Sequence, residues 1–386
     1  MPIRWRDAMS RALYGPSGFF VAGTGPADHF RTSVHASPAF AAAFLRLVAE
    51  VDSALGHPPR LDVVDVGAGR GELLHSLLRL VAAAPAAGVA VGVSGEPTRS
   101  GRSGLIPTRA GSPETLTPTA SARSLRDEPS SGTARPSLAE RVRFTAVEYA
   151  SRPENLPEEI TWTSEIPAEI NGVLLATEWL DNVPLDVAVH TADGWRYVLV
   201  DPESGAEEIG ERVSPADLDW LSKWWPTGPS ESGFRAEIGR SRDEAWANAV
   251  RQISRGLAVA VDYGHLSGDR PVDGTLTGYR GGRQVSPVPD GSSDVTAHVA
   301  MDSVASAGSE VARCAYSLVL QREALRALGA DGGRPPLSLA GTDPAGYVRA
   351  LAAASAVAEL TDPAGLGGHW WLRQPVGIPH EPAVAR

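Results

Sequence analysis

Apolar positions along the chain follow two rhythms. Leu61-Asp62-Val63-Val64-Asp65-Val66 is a short β-branched run, the pattern of a strand buried on both faces of a parallel sheet. Three glycines follow at alternate positions. Leu73, Leu74, Leu77, Leu78 and Val81 then recur at helical spacing and predict an amphipathic helix starting at Glu72. Further buried strands are predicted over 142–147, 172–176 and 257–261. Alternation over 187–199 around Asp193-Gly194 predicts a β-hairpin. Helices are predicted within 4–20, where a turn at Gly15-Pro16-Ser17-Gly18 ends the first. Another starts at Ser37-Pro38, with Ser37 suited to the N-cap and Pro38 to the first helical position, and runs on through Phe40, Phe44, Leu47 and Val51. The Trp-rich stretch 211–226 reads as helix and turn, and 242–255 as a helix broken by Gly256. Beyond Met301 the pattern is mainly helical, over 311–328 and 344–360. Strands alternating with helices predict an α/β fold.

One stretch breaks this pattern. In 95–136, 24 of 42 residues are Gly, Pro, Ser or Thr, and none is aromatic. Such a segment buries too little apolar area to offset its ordering entropy, so a disordered insertion is expected. It leaves two acids competing for the end of the second strand. Glu96 follows 89–93 at near-normal distance, and Glu148 follows 142–147. The second run is the better strand, and excising residues 88–136 restores Glu148 to the usual spacing of about 20 residues from a glycine loop, so Glu148 is preferred.

Composition narrows the function classes. The chain has 386 residues, 42% hydrophobic, enough for an α/β core and a second lobe. A formal net charge of -11 argues against a general nucleic-acid or membrane-surface binder. The single cysteine excludes an internal disulfide and a thiolate zinc cluster, and no spacing suggests another metal site. No apolar signal segment or membrane-length run is visible, so a cytoplasmic protein without membrane insertion is expected.

The glycine loop carries the first chemistry. Asp65-Val66-Gly67-Ala68-Gly69-Arg70-Gly71 lets the backbone turn sharply and brings bare amides against a ligand. A dinucleotide fingerprint needs a third Gly or Ala where this chain has Glu72, and that carboxylate would repel a pyrophosphate at the helix N-terminus. A P-loop is excluded because the only lysine is Lys223. The pattern D-x-G-x-G-x-G is similar to motif I of S-adenosylmethionine-dependent methyltransferases, whose ligand has no phosphate and carries cationic groups suited to Asp65. Polar residues also crowd two strand ends, at Thr177-Glu178-Trp179-Leu180-Asp181-Asn182-Val183-Pro184 and at Asp262-Tyr263-Gly264-His265. Parallel strands expose these ends to one crevice, which suits a substrate site. His298 could act as a base, although a lone His is more often structural. Trp220, Trp224 and Trp225 fit core contacts better than a ligand box.

Together these stretches resemble the MidA family of methyltransferases. The matching segments are Tyr14-Gly15-Pro16, Gly18-Phe19-Phe20, Asp28-His29-Phe30-Arg31-Thr32-Ser33, Ser37-Pro38, the glycine loop, Val147-Glu148 and the run from Glu178 to Pro184. They continue with Asp262-Tyr263-Gly264, Gly274-Thr275-Leu276, Tyr279-Arg280 and the run from Asp294 to Val299. The resemblance implies a Rossmann-like S-adenosylmethionine-dependent methyltransferase core with an added helical and β substrate region. The implied layout is an N-terminal cap or lid at 1–60, a core at 61–265 with an inserted hairpin and helices at 187–255, and a mainly helical region at 266–386. Asp65, Gly67, Ala68, Gly69, Gly71 and Glu148 would bind the cofactor, joined by Thr32 and Ser33. Glu178 and Asp181 would hold the acceptor, with Tyr279 and His298 as weaker pocket walls.

The mitochondrial member of the family is similar to a protein-arginine methyltransferase, which implies N-methylation of an arginine in a protein substrate, for instance a respiratory-complex-type subunit. Oligomeric state is left open, a homodimer included. Two other readings compete, a non-catalytic assembly factor that keeps the pocket and a nicotinamide-dependent oxidoreductase, against which Glu72 speaks. The chain departs from the family at Thr177 for Asn, at Asp181-Asn182-Val183-Pro184 for D-A-L-P, at Gly281-Gly282 for a His, and at Ala300 for an acid. These departures bear on the acceptor, not on the cofactor.

Overall fold

The computed structural model describes residues 1–22, 33–36, 38–83, 135–226, 233–330 and 332–379. A seven-stranded sheet organises them. Its strands, numbered in chain order, are β1 (Leu61–Val66), β2 (Val142–Val147), β3 (Ile160–Thr163), β4 (Ile170–Thr177), β5 (Ile253–Asp262), β6 (Ser317–Leu320) and β7 (Trp370–Val376). They lie in the order β6-β7-β5-β4-β1-β2-β3. Strands β1 to β5 are parallel, and β7 runs antiparallel to both its neighbours, β5 and β6. From β1 the chain builds outward to β2 and β3, then crosses back to β4 and β5. The order reverses between β1 and β4, and ligands of open α/β sheets bind in the crevice at that switch point.

Alternation explains why the strands read as continuous apolar runs. Successive side chains point to opposite faces of the sheet. Val63, Val173, Leu175, Leu257 and Val259 meet Phe40, Phe44 and Leu47 from helix Pro38–Ala54 and Leu73, Leu74 and Leu77 from helix Glu72–Ala83. Val64, Val66, Leu174, Ala176, Ala258 and Ala260 meet Trp246 and Val250 from helix Arg240–Arg251 and Met301 and Val304 from helix Met301–Ala312. Both faces are therefore covered, as a parallel sheet requires.

A second, antiparallel sheet gathers Ile3–Arg4, Gly194–Val200, Asp186–Thr191 and Arg235–Ile238, with Glu207–Arg212 on Gly194–Val200. The hairpin expected around Asp193-Gly194 is thus present, and the N-terminal strand joins it. Helix Trp5–Tyr14 packs Trp5, Met9 and Leu13 against Leu185, Val187, Val198 and Val200, which carries Tyr14 to the central crevice. A three-stranded sheet joins Arg283–Val285, Thr277–Arg280 and Asp294–Thr296.

The structure differs from the sequence expectations in three places. Gly256 is not a helix breaker. The helix ends at Arg251, and Gly256 lies inside β5 opposite Gly172 of β4. A Cβ on Gly256 would lie 1.8 Å from the Gly172 carbonyl oxygen, and one on Gly172 would lie 2.0 Å from that of Asp62. The expected helix over 311–328 is split. Arg313 caps helix Met301–Ala312 in the left-handed region at φ 51, β6 follows, and helix Gln321–Ala327 comes after it. The region beyond 266 is accordingly not all helical, since β6 and β7 complete the central sheet. Pro375 hides β7 in the sequence, because proline is rare inside sheets. It is tolerated because β6 pairs only with residues up to Arg373, so Pro375 lies past the end of that neighbour. Glu96 and almost all of the insertion at 95–136 lie outside the described residues. No helix among the described residues is long and apolar enough to cross a membrane.

The close approach of three strands at Asp62, Gly172 and Gly256 makes a testable prediction. Gly256→Ala should destabilise the fold by about 2–4 kcal/mol, since the methyl group meets rigid backbone and φ is +145. Denaturant unfolding measures this, and a loss below about 0.5 kcal/mol would show that the strands can separate cheaply.

Candidate functional site

A cavity of about 400 Å³ opens at the carboxyl ends of β1, β2 and β4, over the switch point. Its floor is the glycine loop. Gly67, Gly69 and Gly71 have φ of +71, +59 and +81, conformations that L side chains rarely adopt. Gly67 faces Trp179 and Gly71 faces Leu156, where an added Cβ would stand 2.8 and 2.7 Å from ring and methyl carbons. The Gly67 and Ala68 amides donate to the Val147 carbonyl at 3.0 and 3.3 Å, which ties the loop to the end of β2. Glu148, the next residue, accepts the Gly69 N–H at 3.1 Å and the Tyr149 N–H at 2.7 Å.

Carboxylates dominate this end. Asp65 is 2% exposed, and its Oδ1 has no hydrogen-bond partner among the described residues. Burial pushes its pKa up to about 8, and the nearby charges of Glu72 and Glu148 push in the same direction. Burial also raises Glu148, against the opposing effect of the amides it accepts.

The other end is built where β4 and β5 stop. Glu178 takes a left-handed conformation, φ 52, while its N–H donates to the Val261 carbonyl at 2.8 Å. Its carboxylate accepts the Ser33 N–H at 3.0 Å. The chain then turns through Leu180–Asn182. Asp262, at the end of β5, accepts the Leu180 and Asp181 amides at 3.0 and 3.2 Å and so fixes that turn. Asp181 is 3% exposed. Its Oδ2 accepts the hydroxyls of Tyr263 and Thr296, the latter at 2.7 Å, while its Oδ1 has no partner among the described residues. Asn182 donates to Asp294 at 2.7 Å, and the Tyr14 hydroxyl donates to the Asn182 carbonyl at 3.2 Å. Buried Arg242 donates to the carbonyls of Asp181, Val183, Ala297 and His298.

Asp65, Gly67, Ala68, Gly69, Glu148, Glu178 and Asp181 therefore line one cavity. Other expected residues fall elsewhere. Gly71 stands just before helix Glu72–Ala83 and packs on Leu156, away from the cavity lining. Ser33 gives only its N–H to the site, because its buried hydroxyl pairs with Gln321. Tyr279 lies in the small sheet opposite Asp294 and does not line the cavity. His298 is exposed and rests its ring on Tyr263, 5.2 Å between centroids, also off the cavity. Thr32 lies outside the described residues. Sequence reasoning missed Tyr14 and Tyr149 as lining residues, and it missed Ser164, Glu165 and Ile166 because the short strand β3 was not recognised. The strand-end rule that found Glu148 and Glu178 would have found those three.

The donor set fits a cofactor with a cationic amino acid end and a ribose, and without phosphate. An unpartnered buried carboxylate at Asp65 suits an ammonium, Glu148 suits a diol, and a Cβ at Gly69 would meet only the Glu72 carboxylate, at 3.4 Å. A Rossmann-like sheet with such a loop defines a methyltransferase fold. Residues 44–318 match the family described as "Putative S-adenosyl-L-methionine-dependent methyltransferase", and the chain belongs to that family. S-adenosyl-L-methionine is its cofactor, and the resemblance to the MidA family is borne out.

Among curated proteins, the chain is similar to the mitochondrial protein arginine methyltransferase NDUFAF7 of Danio rerio, at 30% identity over 189 residues, 45% of this chain. The match spans 40% of that relative's length. Among solved structures it is similar to a Burkholderia thailandensis protein bound to S-adenosyl-homocysteine, with a TM-score of 0.70 and 22% identity over 100% of this chain and 91% of the other. A native structure from the same organism gives a TM-score of 0.69 at 22% identity, over 100% and 90% of the two chains. These two likenesses concern the fold.

The raised Asp65 predicts a pH dependence. A carboxyl that is protonated in the empty pocket must release its proton when a cationic ammonium docks on it. Affinity for S-adenosylhomocysteine should therefore rise with pH from about 6 to about 7.5, by up to tenfold per unit. Asp65→Asn should bind more weakly and with little pH dependence. Calorimetric titration in buffers of different ionisation enthalpy measures both affinity and proton release, and binding without proton release in wild type would count against this role.

Proposed function

We propose that this protein transfers a methyl group from S-adenosylmethionine to an arginine side chain of a protein substrate. One observation carries the reading. Glu178 and Asp181 stand in the same cavity as the glycine loop, and Asp181 presents a buried oxygen with no partner among the described residues. The name of the zebrafish relative supports the same acceptor. When bound, the cofactor supplies an electron-poor methyl group on a sulfonium. Asp65 would hold its ammonium and Glu148 its ribose hydroxyls.

On the acceptor side, a planar guanidinium suits two carboxylates, through charge-assisted hydrogen bonds that fix its orientation. Glu178 and Asp181 would turn one nitrogen toward the methyl group and stabilise the positive charge that persists through the transfer. The free oxygen of Asp181 can take the N–H proton that the methylated nitrogen sheds. Trp179, packed against Gly67, lines the cavity and would help keep water out.

Labelled S-adenosylmethionine added to a cell lysate with the purified protein, followed by acid hydrolysis, tests the acceptor. Label should appear in methylarginine, and label confined to another amino acid would overturn the assignment. With an acceptor in hand, Glu178→Gln should slow transfer at least a hundredfold, about 2.7 kcal/mol, while S-adenosylhomocysteine affinity stays within about threefold. Equal loss of both would remove Glu178 from the substrate side.

A further inference from the structure

We propose that Tyr263 and Thr296 are positioning residues of the acceptor site, which saturate one oxygen of Asp181 and leave the other as the single anionic atom offered to the incoming nitrogen. The inference rests on the arginine reading above and deepens it. Two hydroxyls converge on Asp181 Oδ2, that of Tyr263 and that of Thr296 at 2.7 Å, and they also lie 2.7 Å from each other. Each hydroxyl has one proton. When Asp181 is ionised, both protons go to Oδ2 and none remains for the contact between the hydroxyls. Oδ1 has no partner among the described residues, although it is buried and its residue lines the cavity. An N–H of a bound cation is the donor that this atom lacks.

The arrangement is needed because the surroundings disfavour a charge. Burial pushes Asp181 up, and only the two hydroxyls, the Asn182 amide and Arg242 pull it down. Arg242 spends its hydrogen bonds on backbone carbonyls and not on the carboxylate. Asp262 and Asp294 are held well above the usual carboxylate range by burial and by the Asp181 charge. Glu178 adds to that negative field, while Tyr14 and His298 also feel the Asp181 charge. With Arg242 set among these four acids of the described residues, the hydroxyls of Tyr263 and Thr296 decide whether Asp181 meets the acceptor as an anion. The Tyr263 ring is fixed between His298 and His369, with centroids 5.2 and 5.5 Å away, so removing its hydroxyl need not move the ring.

The test uses the full chain saturated with S-adenosylhomocysteine, in wild type, Tyr263→Phe and Thr296→Val. Difference infrared spectra, assigned with Asp181→Asn, follow the Asp181 carboxyl through a pH titration. Each variant should raise its midpoint by about one pH unit or more. Methylguanidine serves as the acceptor probe. Its affinity near pH 7 should fall about tenfold in Tyr263→Phe and recover near pH 9, a rescue that a merely structural role would not produce. Thermal midpoints and S-adenosylhomocysteine affinity show whether the variants remain folded. An Asp181 midpoint unchanged in both variants overturns the proposal. If wild type binds no methylguanidine at any pH, the arginine reading fails, while the infrared titration still decides what Tyr263 and Thr296 do.

Discussion

The guanidinium of Arg242 braces the part of the cavity around Asp181, the half proposed to take the acceptor. It comes from a helix on one face of the sheet and donates to carbonyls of two separate segments, Asp181 and Val183 after β4, and Ala297 and His298 beyond the small sheet. Backbone carbonyls turned into a protein interior cost free energy unless they are paired. A planar donor with five N–H groups can satisfy several at once, which a lysine could not. Arg242 reinforces the direct bonds between the turn that carries Asp181 and the strand that carries Thr296, where Asn182 donates to Asp294 and the Ala297 N–H to the Asp181 carbonyl. Thr296 is held beside Asp181 by this side chain and those bonds together, while Tyr263 is placed by the end of β5, where its carbonyl accepts the Val299 N–H at 3.0 Å.

Electrostatics divides the cavity into two halves with similar chemistry and different tasks. Asp65 and Glu148 surround the glycine loop, and Asp181 and Glu178 stand at the ends of β4 and β5. Both halves suit positive charge. Asp65 has no hydrogen-bonding partner on its buried oxygen among the described residues and is pushed up to about 8, so this carboxyl carries a proton at neutral pH when the pocket is empty. The acceptor half instead supplies hydroxyl donors to its carboxylate. A buried acid can be kept poised in either of these ways.

The cofactor half was open to sequence reasoning because it is local. A buried strand, alternating glycines and an amphipathic helix lie within Leu61 to Val81, and every boundary there has a physical signal in the residues themselves. Glu148 was found through the insertion because its strand is rich in β-branched and aromatic residues. The acceptor half was only partly legible. Glu178 and Asp181 leave a strand directly and could be named, but their partners come from Asp262, Tyr263 and Thr296, far away in sequence. Arg242 carries no signal at all in a helix that also contains Arg240 and Arg251. Gly256 was misread because a glycine between two apolar runs looks like a break, whereas its reason is the backbone of Gly172 beside it. Strand β7 was missed because Pro375 argues against a strand unless the neighbour's length is known.

The position of β7 has a consequence for how the protein is made. Trp370 to Val376 is inserted between β5 and β6, and it supplies Trp371 and Leu372 to the two sides of the core. During synthesis β5 is complete well before β7 emerges, roughly a hundred residues later, and contacts so distant in sequence form slowly. Until then one edge of β5 has unpaired amides and carbonyls, a template for pairing with another chain. The sheet can close only after translation has passed Val376. A nascent chain stalled before that point would offer an open strand to chaperones or to its neighbours on the polysome.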